Sequence, residues 1–101
     1  MPKIFEYFGI IIFFYSNEHD PIHVHAQKGE YETKAEFFLL NGEITEIKLS
    51  AVKGRKSLKS GDLRDFKLFL SNYSEKIVEK WVDFFVYHKN VSFEKITTKL
   101  S

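Results

Sequence analysis

Three of the four histidines in this chain, His19, His23 and His25, fall within the stretch Asn17-Glu18-His19-Asp20-Pro21-Ile22-His23-Val24-His25. Imidazole can ligate a metal, carry a proton or change charge near neutral pH, so a chemical centre belongs here before anywhere else. On a β-strand, His23-x-His25 projects both rings to one side, roughly 6.5–7 Å apart along the chain. That spacing suits two ligands of one ion. His19, from the preceding loop, would be a third ligand, and Glu32 would ligate or orient His25. Three protein ligands and a water would make a hydrolytic site for a divalent metal such as zinc. Without metal, His19, His23, His25 and Glu32 support acid–base cleavage of RNA. One imidazole takes the 2′-hydroxyl proton and another protonates the leaving oxygen. The plain structural alternative is a polar sheet face whose histidines hydrogen-bond to Glu32, Asp20 and backbone.

A basic segment is the best candidate for phosphate contact: Lys48, Lys53, Arg55, Lys56 and Lys59 occur with no acid among them. Cations of this kind hold phosphates, but here they lack the interleaved aromatics of a single-strand binder. A solvated basic loop is the simpler reading. His88 near the end of the helical region reads as a cation favoured by the helix dipole, and Trp81 on an apolar stripe reads as core.

The elements that position these residues follow from periodicity. Pro2 to Phe8 reads as a first strand ended by Gly9 as a turn or bulge. Ile10 to Tyr15 is apolar on both alternating faces, the pattern of a strand buried on both sides. Ser16 to Pro21 is a loop carrying His19. His23–Gln27 and Glu30–Leu39 form the next two strands. With Lys28-Gly29 as a two-residue turn, His25 faces Glu32 and His23 faces Lys34. Val24, Ala26, Tyr31, Thr33 and Ala35 then share one face, and His23, His25, Gln27, Glu30, Glu32 and Lys34 the other, wet face. Asn41-Gly42 is a hairpin signal for a tight turn. The core pattern instead favours a three-residue loop Leu40-Asn41-Gly42, which sets Ile47 beside Ala35 and Leu49 beside Thr33. From Asp62 the period becomes helical, with Ser60 or Asp62 as cap and Leu63, Phe66, Leu70 and Tyr73 in one stripe. Ser71 to Ser74 predicts a break before a second stripe, Ile77, Val78, Trp81, Val82 and Phe85; one kinked helix is the alternative. Val91 and Phe93 predict a short strand in the tail.

The expected fold is therefore α+β, a small antiparallel sheet of four to five strands with one or two C-terminal helices packed on one face. The 101 residues make a single domain, strand-rich over 1–50, a basic loop over 51–60, helical over 61–89 and a short tail over 90–101. A net charge of +1 provides no global pull toward nucleic acid or membrane, so any such attraction is local. The absence of cysteine excludes disulfides, thiolate metal sites and a cysteine nucleophile. The apolar run Gly9–Tyr15 is too short for a signal peptide or a membrane span, so a cytoplasmic protein without membrane association is expected. Phenylalanine is abundant, 11 residues, and predicts an aromatic core with surface to spare for a partner.

Met1-Pro2-x-Ile4, Gly9-Ile10-x-Ile12, Glu18-His19-x-Pro21-x-His23-x-His25, Gly29-Glu30-Tyr31 with Ala35, Asn41-Gly42-Glu43, Trp81 and Lys95-Ile96 together resemble the bacterial domain-of-unknown-function family 4160. The chain departs from its usual Pro-Pro before the second histidine, with Pro21-Ile22 here, and its helical part is longer and richer in Phe. The resemblance implies a toxin–antitoxin pair with this chain as toxin and a small antitoxin from a neighbouring gene, of domain-of-unknown-function family 2442, as partner. Two further readings stand beside a toxin acting on RNA or the translation machinery. One is a non-enzymatic interaction module, a homodimer or antitoxin binder using the Ile10–Tyr15 strand. The other is a His-x-His metal-binding protein without catalysis.

Overall fold

The computed structural model describes residues 2–16 and 21–101. Its strands are β1 (Lys3–Tyr7), β2 (Ile10–Phe13), β3 (His23–Lys28), β4 (Tyr31–Leu40), β5 (Glu43–Ala51) and β6 (Glu94–Ile96), with one helix, α1 (Ser60–Phe85), between β5 and β6. The sheet order is β5-β4-β3-β2-β1-β6. All pairs are antiparallel except β1 with β6. The architecture is α+β, as expected. The sheet, however, has six strands and is mixed, because the tail after the helix returns alongside β1 and runs parallel to it.

Two of the turns correct the expected pairing. Between β3 and β4 the turn is Gly29-Glu30, with Lys28 opposite Tyr31. Gly29 has φ +62°, and glycine at the first central position is what a type II′ turn requires. The register is thus two residues from the expected one: His23 faces Glu36, and His25 faces Lys34. A slip of two keeps every side chain on its face, so the partition into an apolar and a polar face holds. Between β4 and β5, Asn41 (φ +53°) and Gly42 (φ +82°) form the tight turn, not a three-residue loop. A bulge then shifts the register between Phe38 and Leu39, leaving Thr45 as the extra residue. The Thr45 hydroxyl donates to the Phe38 carbonyl at 3.1 Å. Below the bulge Ile47 pairs with Phe37 and Leu49 with Ala35. Turn chemistry and core pattern made opposite demands, and one inserted residue satisfies both.

The helix runs unbroken through Ser71–Ser74. Ser71 Oγ donates to the carbonyls of Lys67 and Leu68, and Asn72 Nδ2 to that of Leu68. These side chains bond back onto the preceding turn instead of ending the helix. Neither Ser60 nor Asp62 caps it: Lys59 occupies the N-cap without a side-chain bond. Asp62 pairs with Lys28 at 3.0 Å, tying the first turn to β3. At the far end Val86 is the C-cap, its amide donating to the Val82 carbonyl, and His88 (φ +56°) turns the chain in the left-handed region just beyond it.

The helix stripe Phe66, Phe69, Leu70, Ile77 and Trp81 is buried against Ile4, Phe5, Tyr7, Ile10, Ile12, Phe14, Val24, Ala26, Ala35 and Phe37 of the sheet. Phe69 stacks on Tyr73 at 4.6 Å and meets Phe5 edge-on at 5.2 Å. β2 lies between β1 and β3, so the strand expected to offer an interface is inside the sheet. Among the described residues no helix is long and apolar enough to cross a membrane.

Candidate functional site

The face of the sheet turned away from the helix carries the histidines. β3 positions His23 and His25 by its period of two, and β2 lays Phe13 directly opposite His25. The imidazoles stand together, ring centroids 5.3 Å apart and inclined at 75°. They are not wet, however. His23 is 4% and His25 3% exposed, and Glu32 is fully buried at 0%. The expected solvent-facing site is an enclosed one. Phe13 stacks on the His25 ring at 5.5 Å, and Tyr15 meets it edge-on at 4.5 Å. A strand apolar on both faces needs cover on both, and on this side the strand's own Phe13 and the following Tyr15 provide it.

Each ring is held through Nδ1. His23 Nδ1 donates to the Pro21 carbonyl at 2.6 Å. His25 Nδ1 stands 2.9 Å from Glu32 Oε2, which also accepts the Tyr15 hydroxyl at 3.1 Å. For His23 the Pro21 carbonyl selects the tautomer with the proton on Nδ1, and Glu32 beside His25 orients its ring. Glu32 reaches His25 diagonally, since its direct cross-strand neighbour is Gln27. Diagonal neighbours remain within reach of long side chains.

The basic segment arrives at the same carboxylate. Lys56 bridges to Tyr31 in parallel, and the Glu32 amide donates to the Lys56 carbonyl at 2.8 Å. Leu58 is buried, with its amide donating to Thr33 Oγ1. So docked, the segment sets Arg55 Nε 3.5 Å from Glu32 Oε1. The Arg55 side chain is 39% exposed while its partner is 0% exposed, which makes it the outward end of a contact chain Arg55–Glu32–His25. The other cations are dispersed. Lys48 lies on the histidine face, paired across β4 in the row His23–Glu36–Lys48. Lys53 is exposed. Lys59 lies over the Tyr31 ring on the helix side, away from the histidines.

His19 lies outside the described residues, and among those described no group of three His, Cys, Asp or Glu is placed to hold a metal ion. His88 is exposed at the helix end, remote in sequence and element from the pair. Tyr15, Phe13, Lys34 and the Pro21 carbonyl belong to the site and were not singled out by spacing. The alternation Ile11, Phe13, Tyr15 was the available signal for the first two. Lys34 was assigned to this face but paired with His23, whereas it faces His25.

No curated protein and no solved structure matches the chain. The family model described as Domain of unknown function (DUF4160) matches residues 9–82, from the start of β2 to the last turns of α1. That span contains the histidines, Glu32 and Arg55, and covers well over half of the sequence: the chain belongs to the DUF4160 family.

Proposed function

We propose that this protein is a toxin-like component of a bacterial two-protein module, acting on RNA or the translation machinery through His23 and His25. The contact chain from half-exposed Arg55 through buried Glu32 to His25, with His23 beside it, carries the reading. It joins a phosphate-binding cation to a pair of oriented imidazoles. Burying a carboxylate costs several kcal/mol unless it is paired, and here Glu32 is met by His25, Tyr15 and Arg55 together. In RNA cleavage, one imidazole would remove the 2′-hydroxyl proton as the 2′-oxygen bonds to phosphorus. The other, in its imidazolium form, would give its Nε2 proton to the 5′-oxygen as the P–O5′ bond breaks. Arg55 would hold the phosphate. The rings are reached only when their surrounding side chains, Tyr15 foremost, move aside. The partner expected with this activity is a small antitoxin encoded beside it.

Induced expression in a bacterial host tests the reading. The wild type should arrest growth, and His23→Ala and His25→Ala, shown folded by circular dichroism, should not. A folded double variant of full toxicity would overturn it.

A second reading, an interaction module without catalysis, is favoured by a separate observation. The β4–β5 hairpin tip exposes Phe38, Leu39 and Leu40, beside the edge of β5 that no other described strand pairs with. It predicts a tight complex with a neighbouring-gene product and intact RNA. Metal binding without catalysis would require His19 to join the pair, and metal analysis of untagged protein decides it.

A further inference from the structure

The two edges of the sheet are unlike. β6 is three residues long, whereas β5 is nine residues without proline, and beyond its bulge at Thr45 the stretch from Glu46 to Ala51 is a regular ladder of backbone donors and acceptors left open among the described strands. Native edges are usually blunted, and a long open one is a template for pairing. The inner side of β5 is also unfinished. Ile47 and Leu49 are only partly buried and line a mainly apolar groove with Leu70 and Ser71 of the helix.

We propose that β5 pairs antiparallel with β5 of a second copy of this chain, about a twofold axis at Ile47, making one continuous sheet across the dimer. The charges select both the occupant and the register. Centred on Ile47, Glu46 of each copy faces Lys48 of the other, and this happens twice. Shifting so that Lys48 faces itself sets like charges together, and so does a shift that places Glu46 on itself. A register centred on Leu49 pairs neither charge. Because Lys48 already faces Glu36 within the chain, the chosen register continues an alternating row, Glu36–Lys48–Glu46, across the seam. On the inner side it brings Ile47 against Ile47 and covers the open flank of both grooves. An antiparallel homodimer of this kind is isologous and closes on itself, so the edge is used up and no filament grows. The inference is independent of any activity at the histidines.

Sedimentation of the full-length chain over a concentration series tests it. A monomer–dimer equilibrium is expected, with β5 amides gaining protection from hydrogen exchange as the dimer forms. Glu46→Lys, on the exposed face, turns both pairs into like-charge contacts and should weaken the dimer roughly tenfold. Adding Lys48→Glu, together with Glu36→Gln so that the new carboxylate meets no like charge within the chain, should restore it. Since the chain has no cysteine, Ile47→Cys should cross-link to its own copy on mild oxidation, and Glu43→Cys should not. A strict monomer overturns the proposal, as does a β5 edge that closes only on a different protein. A dimer unaffected by Glu46→Lys and not cross-linked through Ile47→Cys uses another face and overturns it as well.

Discussion

Glu32 is the residue on which the site's chemistry and its stability meet. It is fully buried and serves His25, Tyr15 and Arg55 at once. Glu32→Ala strips the Tyr15 hydroxyl of its acceptor and His25 Nδ1 of the carboxylate beside it, and should cost roughly 3 kcal/mol in urea unfolding. Arg55→Ala removes a half-exposed guanidinium but leaves Glu32 its contacts with His25 and Tyr15, and should cost less, about 1–2 kcal/mol, while abolishing growth arrest. Equal stability losses in the two variants would contradict the inside–outside order of the contact chain. The histidine pair was legible because His23-x-His25 needs only the period of a strand. Its burial was not, because cover comes from Phe13 and Tyr15 across a strand pair whose partner had to be known first. Alternation places Glu32 on the histidine face, but the register expected from sequence sets it directly opposite His25, whereas the contact is diagonal.

At the scale of elements, the β4–β5 hairpin shows how two local rules are reconciled. Asn41-Gly42 takes the tight turn, and the bulge at Thr45 returns Ile47 and Leu49 to the core side. Deleting Thr45 should therefore leave a regular ladder with all other pairings intact, and stability should change by no more than about 1 kcal/mol, within the range of changes away from packed features. Deleting Lys48 instead forces either Ile47 or Leu49 to the solvent side, and cooperative thermal unfolding should be lost. Gly42→Ala should cost about 1–2 kcal/mol through its left-handed backbone alone, since nothing lies within 4 Å of the added methyl. These are read from melting curves followed by circular dichroism. The bulge was not legible because sequence states each constraint separately and not how the chain resolves their conflict. The single long helix stands only as the alternative to two helices in the sequence, for a related reason. Ser71 and Asn72 are turn formers by type, yet here they bond back to Lys67 and Leu68.

For the whole molecule, the span matched by the family, 9–82, is less than the folding unit. β1 lies outside it yet sits inside the sheet, with Ile4 and Phe5 fully buried against the helix side. A piece limited to residues 9–82 should lack fixed aromatic packing in near-ultraviolet circular dichroism, whereas the full chain should show it. The α+β class and the helix-covered face followed from alternation and stripe; the parallel return of β6 depends on where the helix delivers the chain, which no local pattern states. We propose that the two oriented imidazoles act on RNA, and purified protein incubated with bacterial RNA gives the readout. The wild type should yield fragments ending in 2′,3′-cyclic phosphate, and folded His23→Ala/His25→Ala should yield none. RNA left intact by the wild type, or cut equally by the double variant, would contradict the account.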